Sequence, residues 1–342
     1  MSRHLNIPIF IPHLGCPHTC VFCNQRTISG TQHFDKAGVD RQIAEALATT
    51  GEWDTAEIAY FGGSFTGIDR DLMCYLLDIA ERYVQHPIPG KARVLGIRMS
   101  TRPDYISKEI LDVLARYSVR TVELGVQSLD DRVLAASGRG HDTACAERAC
   151  RMLLDAGYEV VGQTMIGLPG STPEGELATA RRLCEIGVQG ARIYPTVVFA
   201  DTVLCTMMQQ GSYVPLTLDE AIRRSAAVLG VFEQSGVRVI RIGLCASDHL
   251  SDPTTALAGA NHPALGELVR SHLYYQNLRE LLGRATAPVQ RIDIPACELS
   301  MAIGQHRQNL LRLKEEFGAQ LRLAAADVAT PQLYEKETEH CT

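Results

Sequence analysis

Three cysteines, Cys16, Cys20 and Cys23, lie close together in the run GCPHTCVFCNQ. They follow an apolar segment, residues 7–11, that is predicted to be the first strand of the chain. Thiolates are the usual protein ligands of iron–sulfur clusters. Three thiolates in so short a loop can bind three irons of a 4Fe–4S cluster and leave the fourth iron without a protein ligand. The C-x-x-x-C-x-x-C spacing therefore predicts a cluster with an open iron, where a small molecule can be activated.

Disulfide bonds and a zinc site are the two alternative roles for these cysteines. Disulfides are not expected, because the chain has 11 cysteines, an odd number, and no pattern of a secretory signal peptide. A zinc ion is the stronger alternative, since His13 or His18 could complete a Cys3His site with the three thiolates.

Length and composition limit the class of protein. A chain of 342 residues can hold one large α/β domain and a smaller appendage. No apolar run approaches the roughly 20 residues that cross a bilayer, so no membrane partner is expected. The formal net charge of −6 argues against broad, nonspecific binding of nucleic acid. The many free cysteines and the missing targeting segment predict a cytoplasmic protein.

Short apolar runs alternate along the chain with amphipathic helical stretches. The seven strand candidates are residues 7–12, 57–61, 93–99, 121–126, 159–166, 190–195 and 237–242. Helical stretches between them include residues 69–84, 107–117, 143–156 and 173–186. This alternation predicts a parallel sheet with right-handed crossovers, and its turns at the carboxyl ends of the strands would share one rim.

Unusual residues follow the strand candidates at that predicted rim. Gly62 and Gly63, directly after the second, expose backbone groups and allow close approach of a ligand. Polar residues follow the third and fourth candidates, and a loop further on carries Arg139 between two glycines, where its guanidinium fork would suit a carboxylate. Arg139 could also be an ordinary surface arginine. The turn GLPGST, which contains Leu168, follows the fifth candidate.

Six segments occur in the order GCPHTCVFCNQ, YFGGSFTG, STRPDYI, VELGVQS, GRGH and MIGLPGST. Together they resemble the radical S-adenosylmethionine (SAM) superfamily, in particular the SAM domain shared by the Elongator catalytic subunit and oxygen-independent coproporphyrinogen oxidase. The resemblance covers roughly residues 5–245. It implies an α/β fold, a partial (β/α)6 barrel of the TIM type, followed here by a C-terminal α/β extension.

The resemblance also implies cofactors and chemistry. Cys16, Cys20 and Cys23 would bind a 4Fe–4S cluster, which, once reduced by a ferredoxin or flavodoxin, would cleave SAM to a 5′-deoxyadenosyl radical. That radical abstracts hydrogen from a substrate. The residues that would contact SAM are Phe22, Gly62, Gly63, Ser64, Ser100, Gln127, Arg139, Gln163 and Leu168.

Three units are expected: a radical SAM core (residues 1–215), an extension completing it (216–283), and a small α/β element with a tail (284–342). In the last unit, a strand at 289–295, two helices joined at an Ile-Gly loop and a return strand at 317–323 resemble the KH RNA-binding module. The second glycine of the KH loop is replaced by arginine here. RNA binding and simple packing of the helical pair both remain open.

Two functions are therefore compared. The first is a radical SAM enzyme that modifies RNA, most naturally tRNA; the alternative acts on a small metabolite or a tetrapyrrole. A metal-carrying protein without catalysis is a third interpretation. After the last strand candidate, Cys245, Asp248 and His249 are candidates for substrate contact or proton transfer. Because 342 residues leave no room for Elongator's acetyltransferase domain, acetyl-CoA-dependent chemistry is not expected.

Overall fold

Seven parallel strands form the main sheet of this computed structural model, which describes residues 3–17, 20–25, 33–244, 252 and 254–335. Each strand pairs with the next one along the chain, so every crossover connects neighbours. The strands are β1 (His4–Phe10), β2 (Thr55–Phe61), β3 (Arg93–Thr101), β4 (Val119–Gln127), β5 (Glu159–Ile166), β6 (Gly190–Pro195) and β8 (Arg238–Ile242), whereas β7 (Val197–Phe199) pairs separately with β9 (Ala256–Gly259). The sheet ends at β1 and β8, and the barrel is therefore open.

Helices cover the outer face of this sheet, except for the last two of the chain, which pack in the C-terminal part. They are α1 (Val39–Ala48), α2 (Arg70–Gln85), α3 (Lys108–Leu114), α4 (Asp131–Ala136), α5 (Thr143–Asp155), α6 (Pro173–Ile186), α7 (Val203–Gln209), α8 (Leu218–Gln234), α9 (Leu265–Gly283), α10 (Leu299–Ile303) and α11 (Gln308–Phe317). Polar side chains begin several of them: Asp142, for example, accepts a hydrogen bond from the backbone N–H of Cys145 at 2.7 Å. In α2 the apolar positions Met73, Leu76 and Ala80 recur at helical spacing and face the core.

All seven strand candidates form the main sheet, and β8 is its seventh strand. They were recognisable because strands of a parallel sheet, covered by helices, contain nearly continuous apolar runs. The four longer helical stretches were also recovered, as α2, α3, α5 and α6, with their ends moved by a few residues. The α/β barrel architecture is confirmed.

The C-terminal part adds a second, three-stranded sheet. Its central strand β10 (Val289–Pro295) is parallel to β11 (Arg322–Ala326) and antiparallel to β12 (Gln332–Glu335). The return strand predicted at 317–323 was wrong in position. Residue 317 still belongs to α11, and Gly318, with φ of 122°, ends that helix before the chain turns into β11.

Helix α9 belongs to both parts of the molecule. It packs on α8 of the barrel, while its Leu278 and Leu282 join the apolar cluster under the second sheet. Buried Asn309 donates to the backbone oxygen of Ser271 in α9 at 3.0 Å. The division of the chain at residues 215 and 283 stays a prediction. Within the described ranges, none of the helices combines the length and the apolarity that crossing a bilayer requires.

Candidate active site

A cavity of about 500 Å³ lies inside the barrel, within the range of small-molecule sites. Nearly all residues proposed from the sequence line it, namely Cys16, Cys20, Phe22, Cys23, Gly62, Gly63, Ser64, Ser100, Gln127, Arg139 and Gln163. Leu168 does not: it is buried in the structure, only 2% exposed, outside the set of lining residues. The candidates Cys245, Asp248 and His249 lie outside the described residues.

The cysteine loop is seated on the Gly-Gly turn by close backbone contacts. A Cβ added to Gly63 would lie 2.3 Å from the carbonyl oxygen of Leu14, and one added to Gly15, whose φ is 72°, would lie 2.2 Å from that of Ser64. The backbone N–H of Ser64 donates to the oxygen of Leu14 at 2.9 Å, and its hydroxyl lies 3.2 Å from the sulfur of Cys16. In this structure the glycines therefore support the loop itself.

The opposite side of the cysteine loop is held by more distant parts of the chain. The backbone N–H of Val21 donates to the oxygen of Ser137 at 3.1 Å, and that of Leu204 in α7 donates to the oxygen of Val21 at 2.8 Å. Phe22 packs against the small apolar cluster that contains Leu204 and Tyr213, and it also lines the cavity. The cysteines are thus presented by a loop that is fixed on both sides.

Two buried arginines are directed at Cys20. The Nη1 of Arg139 donates to its sulfur at 3.1 Å, and the Nη1 of Arg102 lies 3.8 Å from the same atom. Arg102 is held by two hydrogen bonds to Asp104, at 2.9 and 2.8 Å, and it also donates to the carbonyl oxygen of Arg139. Sequence reasoning missed Arg102, although an arginine directly after a predicted strand and before the Pro-Asp start of a helical turn was a usable signal.

Burial disfavours the ionisation of Cys16 and Cys23. Burial raises the pKa of Cys16, and burial followed by the neighbouring Cys20 raises that of Cys23 to about 12. Bound iron would hold Cys16 and Cys23 as thiolates, as it does in a cluster. Three soft sulfur donors beside two guanidinium groups therefore fit a 4Fe–4S cluster.

A single metal ion would need its ligands to converge. No group of three or more His, Cys, Asp and Glu side chains in the described ranges lies close enough together for one ion. Ligands of a four-iron cluster each bind a different iron, and they do not have to converge in this way. Of the histidines considered for zinc, His13 accepts a hydrogen bond from the backbone N–H of Gln25 at 3.1 Å, and His18 lies outside the described residues.

Gln127, at the end of β4, has a strained backbone conformation and a side-chain oxygen that accepts no hydrogen bond within the described structure. Its φ is 66°, which is rare for a residue with a side chain, and it is buried. Its side-chain oxygen has no hydrogen-bond partner within the described structure. Gly125 gives the side chain its space, because an added Cβ there would lie 2.9 Å from the Nε2 of Gln127 and 3.0 Å from the Nη2 of Arg139. A buried, unpaired acceptor facing a cavity indicates a ligand that donates to it.

Charged side chains of four strands form a buried ion network inside the barrel. Arg98 binds Glu57 at 2.9 Å and Glu123 at 3.1 Å, and Arg192 binds Glu123 at 2.7 Å. Gln163 also donates to Glu123, at 3.1 Å. The sequence signal for this network was a single charged residue in the middle of otherwise apolar strands, and it was missed.

His141 is a buried histidine close to Arg139 and Arg102, the two arginines directed at Cys20. Its side chain is fully buried, and its Nδ1 is 3.9 Å from Asp104. Burial, and next the charge of Arg139, lower the pKa of His141 to about 4. The imidazole is therefore neutral in the folded protein at neutral pH.

This histidine predicts a pH dependence of stability. An unfolded histidine titrates near about 6.5, so its contribution is fully present above that pH and is lost as the pH falls toward the folded pKa. We expect the wild type to lose about 2–3 kcal/mol more than His141→Asn between about pH 7 and about pH 4.5. Urea unfolding at both pH values measures this. The matching change at exposed His86, His86→Asn, should leave the wild-type loss unchanged; an equal loss in His141→Asn and wild type would contradict the burial argument.

Comparison with known proteins agrees with this geometry. The model of the radical SAM superfamily matches residues 10–183, and that of the radical SAM C-terminal domain matches residues 188–275. Protein YhcC of Escherichia coli K12 is 27% identical over 59% of this chain and 63% of its own length. A tRNA uridine(34) acetyltransferase of Dehalococcoides mccartyi is 29% identical over 85% of this chain and 71% of its own length.

Among solved structures, the archaeal Elp3 of Methanocaldococcus infernus with an N-terminal deletion superposes with a TM-score of 0.66 at 22% identity. The match covers 82% of this chain and 64% of that one, and it supports the fold alone. The chain thus spans 63–71% of the lengths of these three relatives. Since the superfamily model covers half of the chain, from the first strand through α6, and the cysteine loop lines the barrel cavity, the chain is an enzyme of the radical SAM superfamily.

Proposed function

We propose that this enzyme binds a 4Fe–4S cluster through Cys16, Cys20 and Cys23, binds SAM beside it, and modifies tRNA. The observation that carries the proposal is the arrangement of three cysteine thiols on one wall of the cavity, with Arg139 and Arg102 directed at one of them. When bound, the reduced cluster supplies the electron that cleaves SAM and yields a 5′-deoxyadenosyl radical.

The residues around the cysteines prepare that chemistry. The two arginines place positive charge beside Cys20, which favours a cluster that accepts an electron. Gln127 offers its unpaired oxygen to a donor such as the ammonium group of SAM, while Ser100 and Gln163 add polar groups to the same cavity. Phe22 closes the apolar side of the cysteine loop, which limits access of water.

The substrate part of the proposal is supported by relatives. The curated relative that covers most of this chain's length among those compared is a tRNA uridine(34) acetyltransferase. In the C-terminal element, His306 and Arg307 are exposed in the loop between α10 and α11, where a KH module would contact RNA. An electron donor of the ferredoxin or flavodoxin class completes the proposal, and free thiols such as Cys74 and Cys150 suit the reducing cytoplasm.

The substrate class is tested by measuring 5′-deoxyadenosine release by the anaerobically reconstituted and reduced enzyme. Release should rise when unmodified tRNA is added, because substrate binding completes the site and excludes water from the cavity. Release that tRNA leaves unchanged, but that a tetrapyrrole or other small metabolite stimulates, would replace the tRNA proposal with the small-molecule alternative. No release from an enzyme with an intact cluster would contradict the radical mechanism itself.

A further inference from the structure

The buried ion network contains one more cation than it can neutralise. Three arginines, Arg98, Arg192 and Arg241, and two glutamates, Glu57 and Glu123, lie on the inner face of the sheet. Arg98 is bound to both glutamates and Arg192 to the second of them. Arg241 has no carboxylate partner in the described part of the chain, although it is partly buried and lines the cavity.

Strand register places Arg241 directly beside another cation. It is the Cα partner of Arg192 across β6 and β8, and both side chains line the cavity. Like charges in directly opposed positions destabilise a sheet. Glu123 cannot neutralise both members of this arginine pair, because its two oxygens already accept four hydrogen bonds, from Arg192 (2.7 and 2.9 Å), Arg98 (3.1 Å) and Gln163 (3.1 Å). A partly buried, uncompensated cation is costly unless a ligand pairs with it.

The phenol of Tyr194 lies next to the arginine pair. Tyr194 follows Arg192 by two residues on β6 and therefore points into the same cavity, with its hydroxyl 3.5 Å from the Nη1 of Arg192. A phenol can donate a hydrogen bond to an anion. The arginine pair lies on β6 and β8, whereas the cysteine loop follows β1 and the two arginines directed at Cys20 follow β3 and α4.

We propose that Arg241, together with Arg192 and Tyr194, binds a phosphate ester of the substrate on the wall of the cavity formed by β6 and β8. This inference rests on the proposed function, because it names the group by which the substrate of that reaction is held. Guanidinium forks match phosphate oxygens, and a tetrahedral phosphate can accept donors that approach from several directions. Such a phosphate has two sources: the backbone of an RNA or a small phosphorylated molecule.

The test compares Arg241→Gln with Arg238→Gln. Arg238 lies on the same strand, but its side chain is exposed and pairs with Glu159 at 3.0 Å. Arg238→Gln therefore removes the same charge as Arg241→Gln without changing the lining of the cavity. Dissociation constants are measured at one fixed ionic strength for inorganic phosphate, uridine 5′-monophosphate and unmodified tRNA transcript. We expect Arg241→Gln to weaken binding by roughly 10-fold or more, as loss of a charged hydrogen bond does, and Arg238→Gln to change it by less than about twofold.

The pattern across probes identifies the source of the phosphate. Loss confined to tRNA assigns the site to the RNA backbone, and loss for the monophosphate as well assigns it to a small phosphate ester. Arg241→Lys keeps the charge without the fork and should fall between Arg241→Gln and wild type. Equal binding by Arg241→Gln and wild type, or no binding of any probe by wild type, would overturn the inference.

Unfolding temperature and 5′-deoxyadenosine release separate failure of the phosphate site from misfolding and from failure of the proposed function. Arg241→Gln should unfold at the same temperature as wild type or a higher one, since it removes repulsion between the arginine pair. If wild type releases 5′-deoxyadenosine while Arg241→Gln binds every probe normally, the phosphate site fails and the radical SAM proposal stands. If wild type binds phosphate through Arg241 but never releases 5′-deoxyadenosine, the radical SAM proposal fails and the phosphate site stands.

Discussion

Cys20→Ala is expected to lose the iron–sulfur cluster and all 5′-deoxyadenosine release. Cys20 is the cysteine on which both buried arginines converge, with Arg139 at 3.1 Å and Arg102 at 3.8 Å from its sulfur. Without that thiolate, the two remaining sulfurs leave one more iron without a ligand, and the buried guanidinium of Arg139 loses the sulfur to which it donates. Iron and sulfide content after anaerobic reconstitution, together with the visible absorption of the cluster, measure the loss.

A matched cysteine separates this effect from general loss of thiols. Cys184 is a free, half-buried thiol on α6, away from the cysteine loop. Cys184→Ala should bind iron and release 5′-deoxyadenosine as the wild type does. Full iron content in Cys20→Ala, or equal loss in both variants, would show that the loop does not hold the cluster.

Glu123→Gln should cost the barrel about 3–5 kcal/mol of stability, a large part of the total of a typical domain. The side chain of Glu123 is 1% exposed and is shared by Arg98 and Arg192. An amide keeps the shape but removes the charge, so Arg192 would lose the carboxylate that binds it and Arg98 would keep only Glu57. The midpoint of urea unfolding, followed by circular dichroism, measures the change.

The control for this prediction is an ion pair on the surface. Glu316 pairs with exposed Arg279 at 2.8 Å, and such pairs contribute at most about 1 kcal/mol. Glu316→Gln should therefore barely move the unfolding midpoint. If Glu123→Gln were no more destabilising than Glu316→Gln, the network would not be holding the inner face of the sheet together.

Most of the fold was predictable because its periodicity is strong. Seven apolar runs separated by amphipathic stretches predict a parallel sheet, and all seven are strands of the main sheet. The strands that were missed, β7, β9 and β12, are only three or four residues long, which is too short for any periodicity to develop. Their pairing depends on partners far away in the chain.

The candidate site was predictable where a residue of distinctive chemistry, such as cysteine or paired glycine, lies in a turn that follows a predicted strand. The cysteines and the Gly-Gly turn follow strands, Arg139 lies in a glycine-flanked loop, and the structure brings them to one cavity. Arg102, Arg192 and Arg241 were missed because their importance comes from what lies across the barrel, and a charged residue within a strand also fits an exposed edge. Leu168, in the turn after β5, is buried and is not among the residues that line the cavity, and its contact with SAM stays a prediction.

The most direct test of the proposed function is electron paramagnetic resonance of the reduced, reconstituted protein before and after SAM is added. A cluster bound by Cys16, Cys20 and Cys23, with one iron open to SAM, should give a reduced-cluster signal whose g values and line shape change on addition of SAM. A protein that binds zinc in place of iron, or a cluster signal that SAM leaves unchanged, would contradict the account.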